Sequence, residues 1–161
     1  MVYRSSNKIT YLKDVKSSGT GGATIPQSAY ITRELNTQEG DTTFCTLASN
    51  QFTLQPGTYD VEAFVPYWLN LSGTASVKAK IRNITSSSDA IIGQTSLFSN
   101  PLSQGSTNAF SNDVVGTITI TVATTFAVQQ YTTSTNANNG GMPMSIGDNE
   151  IYTIVKITKV K

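Results

Sequence analysis

The amino-acid sequence predicts an all-β protein, a single-domain antiparallel jelly-roll sandwich. Three observations carry that expectation. Short runs of alternating apolar and polar residues recur along the whole chain, the signature of half-buried strands. Clusters of Gly, Pro, Asn and Ser separate them, as turns require. The composition agrees: 38% of residues are apolar and only 13% charged, against about 25% charged in an average soluble protein. Thr, Ser, Asn and Gln replace the missing charge, at roughly two-fifths of the chain. Thr, Ser and Asn are indifferent helix formers, whereas Thr, Val, Ile, Tyr and Phe suit a pleated surface. A chain of 161 residues is long enough to bury one core without disulfides. Residues 1–8 read as a short N-terminal arm and residues 9–161 as the jelly-roll domain.

The elements follow in order. Residues 9–15 form the first strand, closed by Ser17-Ser18-Gly19-Thr20-Gly21-Gly22, a loop by its glycines. Pro26 breaks pairing before an extended segment at residues 30–35. Residues 36–41 read as a polar turn. Residues 42–47 and 51–54 are short strands joined by Ala48-Ser49-Asn50 as a hairpin. Gln55-Pro56-Gly57 is the clearest turn, with proline preset for the first corner and glycine for the second.

The strand it launches, at residues 58–63, places Tyr59, Val61 and Ala63 inside and Asp60 and Glu62 outside. Residues 76–82 do the same with basic residues outside, so Asp60 and Glu62 are expected to meet Lys78 and Lys80 across an antiparallel pair. Residues 91–97 make a further strand. Residues 99–112 read as a long exposed loop. In residues 116–122 the alternation is strongest, with Ile118, Ile120 and Val122 inward. Thr125 turns the chain into residues 126–131, and residues 133–141 read as a second polar loop. Residues 151–157 are the last strand. The count is about nine or ten strands with no helix.

Charge and chemistry narrow the function. With 11 basic and 10 acidic residues the net charge is +1, and no Lys/Arg stripe exists to neutralise several phosphates, so nucleic acid is not an expected partner. Lys156, Lys159 and Lys161 read as a solvated edge. No run approaches the ~18 apolar residues of a membrane span, and no secretory signal opens the chain. Asn70-Leu71-Ser72 and Asn83-Ile84-Thr85 match glycosylation acceptors, which carry no weight without such a signal.

The sequence contains no His, which removes the Ser-His-Asp and Cys-His arrangements and most zinc sites. Cys45, the single cysteine, sits in an apolar run and reads as a buried small hydrophobe. Gly19-Thr20-Gly21-Gly22 lacks a following helix and the P-loop lysine. A pair of carboxylates could support glycoside hydrolysis, and 10 acidic residues allow many pairings, but Asp60 and Glu62 occupy a solvated strand face. Gly147-Asp148-Asn149-Glu150 offers clustered oxygens, either an ordinary polar turn or, with Asp148 and Glu150, a calcium site. No catalytic residue, cofactor or metal ligand is assigned, and the protein is expected not to be an enzyme.

Apolar side chains exceed what one core needs. Phe64-Val65-Pro66-Tyr67-Trp68-Leu69 breaks the expected alternation, and Ile151, Tyr152, Ile154 and Val155 put bulk on both faces of the last strand. Phe64, Tyr67, Trp68, Tyr152 and Ile154 are therefore the candidate subunit interface.

Several segments carry a family resemblance. Ser18-Gly19-Thr20-Gly21-Gly22-Ala23, Thr32-Arg33-Glu34-Leu35-Asn36-Thr37 and Leu54-Gln55-Pro56-Gly57-Thr58-Tyr59 stand in the order found in short tailed-bacteriophage virion proteins. An aromatic strand closing on alternating Ile and Lys completes the likeness, which spans roughly residues 9–161. Those proteins resemble the complement and tumour-necrosis-factor type of jelly roll, with three subunits around a threefold axis. The resemblance implies a non-enzymatic homotrimer on the virion, made in the host cytoplasm and docked on other virion proteins of capsid or tail. Only the short arm precedes the first strand, leaving no fibre shaft, so a decoration or cement protein, or the cap of a tail component, is expected first. The alternative is an attachment module that grips a host-surface glycan through the polar loops at residues 99–112 and 133–141. A glycan-cleaving enzyme comes third.

Overall fold

The computed structural model describes residues 8–69, 73–100, 108–135 and 137–161; the expected N-terminal arm lies outside them except for Lys8. Eleven strands form among these residues: β1 (Lys8–Lys16), β2 (Ile31–Thr32), β3 (Thr37–Gly40), β4 (Cys45–Ala48), β5 (Gln51–Leu54), β6 (Gly57–Leu69), β7 (Gly73–Asn83), β8 (Ser88–Asn100), β9 (Asn108–Ile120), β10 (Thr124–Thr132) and β11 (Glu150–Lys159). They make two sheets, ordered β3-β1-β11-β6-β9 and β4-β5-β10-β7-β8, with β2 pairing to β10. Every strand ladder is antiparallel. We call the first the A sheet and the second the B sheet.

Alternation explains why the sheets stack. Leu12, Tyr59, Val61, Ala63, Val155 and Ile157 point inward from the A sheet, and Phe52, Leu54, Ile81, Phe126 and Val128 from the B sheet, forming one buried cluster. Phe44 packs on Tyr59 and Phe52 on Phe126, with ring centroids 5.6 and 5.7 Å apart. Each such fully buried aromatic or aliphatic side chain stabilises the fold by about 1.5–3 kcal/mol. A second cluster of Ile25, Tyr67, Leu69, Ala75 and Val77 fills the other end of the sandwich.

Several expectations are corrected. Residues 37–40 are strand β3, paired to β1, rather than part of a turn. Their polar side chains do the bonding: Gln38 donates to the Cys45 carbonyl at 2.9 Å and accepts from the Leu47 N–H at 3.1 Å. Of residues 30–35 only Ile31–Thr32 is strand, because Arg33 turns its side chain into the interior. Ser49 and Asn50 both take positive φ (51° and 62°), the pair of left-handed residues that a two-residue hairpin between β4 and β5 requires. Val122 is 65% exposed rather than inward, since β9 ends at Ile120 and the alternation ends with it.

The largest correction is register. Asp60 and Glu62 lie in the A sheet and Lys78 and Lys80 in the B sheet, so they never pair. Glu62 faces Lys156 on β11, with Nζ–Oε1 at 3.2 Å, and Lys80 pairs with Asp89 at 2.8 Å. The interval at residues 99–112 is no simple loop either: β8 runs to Asn100 and β9 starts at Asn108, while residues 101–107 lie outside the described ones. Residues 133–135 and 137–141 do form a loop, but its end is not exposed, for Asn139, Gly140 and Gly141 are buried.

Among the described residues Arg33 is the one wholly buried cation. Its guanidinium donates to Thr153 Oγ1 (3.1 Å), Gln130 Oε1 (3.3 Å) and the Gly140 carbonyl (2.8 Å). Burial lowers its pKa to about 10, against a raising influence from Asp14, so it stays charged at neutral pH. Asp14 is also buried, with neither oxygen hydrogen-bonded; its counter-charges are Arg33 and Lys16, whose Nζ lies 3.4 Å away. Gly140 has to be glycine, because a Cβ there would overlap Arg33 Nη1 and the Ala23 carbonyl.

Candidate functional site

The surface that gathers the predicted interface residues is the outer face of the A sheet around β6 and β11. Strand β6 spans thirteen residues, and its alternation is unbroken. Tyr59, Val61, Ala63, Val65, Tyr67 and Leu69 face inward, so Asp60, Glu62, Phe64, Pro66 and Trp68 face outward. The apolar run that appears irregular in the sequence is one strand with apolar residues on both faces.

Pro66 is tolerated in this strand because the β11 ladder stops at the Ile154–Phe64 pair. By the pleat, a residue two positions on directs its N–H to the same side, and the Trp68 N–H reaches the Asn139 carbonyl at 2.7 Å. Proline thus sits where no ladder bond is missed.

The predicted residues are placed as follows. Phe64, 42% exposed, is the direct cross-strand neighbour of half-buried Ile154. Trp68 and Tyr152 are nearly buried and wall an open cavity of about 450 Å³, together with Pro66, Met142, Met144 and Ile151. Gly141 lies so close beneath the Tyr152 ring that a Cβ would overlap it, and the Tyr152 hydroxyl donates to the Thr20 carbonyl at 2.8 Å. Tyr67 touches the cavity's inner wall but is wholly buried, and its hydroxyl donates to the Ser134 carbonyl at 2.9 Å. Its position is structural, behind the surface rather than on it, because odd positions of β6 point into the sandwich.

Sequence reasoning missed Val115, 66% exposed, and Met142 and Met144, the latter 73% exposed. Val115 pairs with Glu62 and so shares the outer face. The signal for the methionines was available: Met142-Pro143-Met144-Ser145-Ile146 is an apolar stretch that no strand or turn had claimed.

Glu150 holds that stretch in place. Its Oε1 accepts from the N–H groups of Gly19 (3.1 Å), Met144 (3.1 Å) and Ser145 (2.9 Å). These bonds, Ser145's first, lower its pKa. An oxygen ringed by three N–H dipoles is set for no cation, which argues against the calcium alternative at Glu150, while Asp148 lies exposed. Among the described residues no three His, Cys, Asp or Glu stand close enough to hold a metal ion.

Charged groups on the same face are ion-paired or hydrogen-bonded within the chain. Lys156 pairs with Glu62 at 3.2 Å and Lys13 with Glu39 at 2.6 Å. Asp113 accepts from Ser111 Oγ at 2.7 Å and Asp60 from Thr117 Oγ1 at 2.8 Å. Carboxylates satisfied in this way lower the cost of covering the face. They also leave Asp60 and Glu62 engaged in strand-to-strand bonds. Cys45 is buried, and burial pushes its thiol up to about 12, far from a thiolate nucleophile.

No protein-family model matches the sequence, and no curated protein matches it. Solved structures do. Murine APRIL superposes with a TM-score of 0.57 at 9% identity, covering 96% of this chain and 100% of that one. The Eiger TNF from S. frugiperda gives 0.57 at 12% identity, covering 96% and 93%. The fold is a tumour-necrosis-factor-like jelly roll. At such identities the likeness concerns architecture alone, and the outer face of this jelly roll has to be read from its own residues.

Proposed function

We propose that the chain is a non-enzymatic homotrimeric module whose A-sheet outer face turns toward a threefold axis, and that it serves as a structural protein on a bacteriophage virion. One observation carries the trimer: a contiguous apolar surface of Phe64, Ile151, Ile154, Val115, Met142 and Met144 on the outside of one sheet, with the carboxylates of Asp60, Glu62 and Asp113 beside it already ion-paired or hydrogen-bonded. A monomer gains nothing from that arrangement. Association removes the apolar area from water at about 25 cal/mol per Å², and a standard interface covers about 800 Å² per partner. Closed symmetry consumes identical patches and so prevents open-ended growth. The location rests on the resemblance of the ordered segments to short tailed-bacteriophage virion proteins, and the absence of His supports a role without catalysis.

Sedimentation equilibrium tests the assembly. Wild-type protein at tens of micromolar is expected at three times the 17.2 kDa chain mass. Phe64→Asp and Ile154→Asp, each placing an unpaired carboxylate in the interface, are expected to sediment as monomers with an unchanged β-type circular dichroism spectrum. A monomeric wild type overturns the trimer; trimers in both variants overturn the choice of face. Cryo-electron microscopy of the assembled particle tests the location, with density at the capsid or tail surface expected.

A further inference from the structure

The opposite side of the sandwich presents a different chemistry. On the outer face of the B sheet, Tyr131, Lys78 and Thr95 are consecutive cross-strand neighbours on β10, β7 and β8. Tyr30, just ahead of β2 and 40% exposed, lays its ring beside Tyr131 with centroids 5.3 Å apart and planes at 48°. Together with Ser76 they line an open cavity of about 330 Å³, at the small end of the about 300–1,000 Å³ range of ligand pockets.

The Tyr30 ring is braced from behind. Lys80 Nζ sits 3.9 Å from its centroid and is itself held by Asp89 at 2.8 Å, which also takes Arg82 at 2.8 Å. Burial, then the Asp89 charge and Tyr131, raise the Tyr30 hydroxyl's pKa, so it remains a protonated donor at neutral pH. Asp89 is the acidic partner of two cations on this face. Lys78, in the floor of the cavity, has no ion-pair or hydrogen-bond partner among the described residues.

Two tilted aromatic faces, several hydroxyls and one free ammonium define a narrow class of ligand. The C–H face of a pyranose ring stacks on tyrosine, its hydroxyls bond Ser76, Thr95 and the phenols, and a ring carboxylate meets Lys78. A nucleic acid strand fits less well, because it needs a track of several free cations, and Lys80 and Arg82 are already engaged by Asp89.

We propose that this cavity binds a carboxylate-bearing sugar residue, a uronic or sialic acid, of a surface polysaccharide. The site is on a strand face of the B sheet, on the opposite face from the self-association surface. Its test is therefore separate from that of the trimer.

Isothermal titration calorimetry of the intact protein decides it, using oligosaccharides of galacturonic, glucuronic and N-acetylneuraminic acid and neutral counterparts of equal length. At least one acidic oligosaccharide is expected to bind about fivefold tighter than its neutral counterpart, with Lys78→Gln erasing that margin. Tyr30→Ala and Tyr131→Ala are each expected to weaken acidic and neutral sugars alike by about tenfold. Circular dichroism and sedimentation of every variant should match wild type; if Tyr131→Ala unfolds, Tyr30→Ala at its more exposed position carries the test. No heat from any oligosaccharide at millimolar concentration overturns the proposal, as does binding that survives all three substitutions. Binding lost in the tyrosine variants but indifferent to Lys78→Gln overturns the carboxylate requirement.

Discussion

Arg33 shows how one residue can organise the interior. Its three donated bonds tie β10 through Gln130, β11 through Thr153 and the 137–141 segment through the Gly140 carbonyl. The fork geometry of a guanidinium is what lets a single side chain reach three elements in three directions. Removing it strands three polar groups and leaves buried Asp14 with Lys16 as its remaining counter-charge. Arg33→Ala is therefore expected to cost about 3–5 kcal/mol, read from the urea-unfolding midpoint. Arg33→Lys should recover only a small part of that, because a point charge cannot span the same three acceptors. A loss under 1 kcal/mol for Arg33→Ala would show the cluster to be incidental. Nothing in Thr32-Arg33-Glu34 distinguishes this arginine from a solvated one; its burial depends on Gly140, more than a hundred positions away.

At the scale of elements, β6 and the segment after β10 carry the lesson. The alternation of β6 was legible from Tyr59 to Ala63 and then hidden, because the outward positions Phe64 and Trp68 are apolar too. Periodicity reveals a strand only where its two faces differ in polarity. The segment at residues 137–149 replaces a missing stretch of ladder: its Asn139 brackets Ile25, accepting from the Ile25 N–H at 2.5 Å and donating to the carbonyl at 2.9 Å. Glu150 then pins Met144 and Ser145. Because the folded pKa of Glu150 lies below its ordinary value of 4.5, its stabilising contribution is full above about that pH and is lost as pH falls through the lowered folded value. The amide-proton shifts of Gly19, Met144 and Ser145 are expected to titrate together with an inflection below 4.5. Glu150→Gln should abolish that common inflection. Independent titration of the three amides would show that the carboxylate does not hold them as one unit.

For the whole molecule, the two outer faces divide the work proposed here, self-association on the A sheet and sugar recognition on the B sheet. Association linked to folding makes stability depend on concentration. Hundredfold dilution of the wild type is expected to lower Tm by on the order of 5 °C, measured by thermal circular dichroism. Phe64→Asp should show no such dependence. A concentration-independent Tm for both would mean that the apolar face is left uncovered in solution.

The sequence by itself determined the all-β class, most strand positions, the hairpin at Ser49-Asn50 and the buried thiol of Cys45, because each rests on local periodicity or local turn chemistry. It also singled out Phe64, Trp68, Tyr152 and Ile154, since a surplus of apolar residues is visible without knowing where they go. Only the tertiary structure decided which strands are neighbours. Alternation says that Glu62 and Lys80 point outward, but not from which sheet, so the pairing of Glu62 with Lys156 was out of reach. Tyr30 and Tyr131 are a hundred positions apart, and Arg33 and Gly140 lie still farther apart in the chain; what brings each pair together is the winding of a jelly roll, in which strands distant in sequence become neighbours in a sheet.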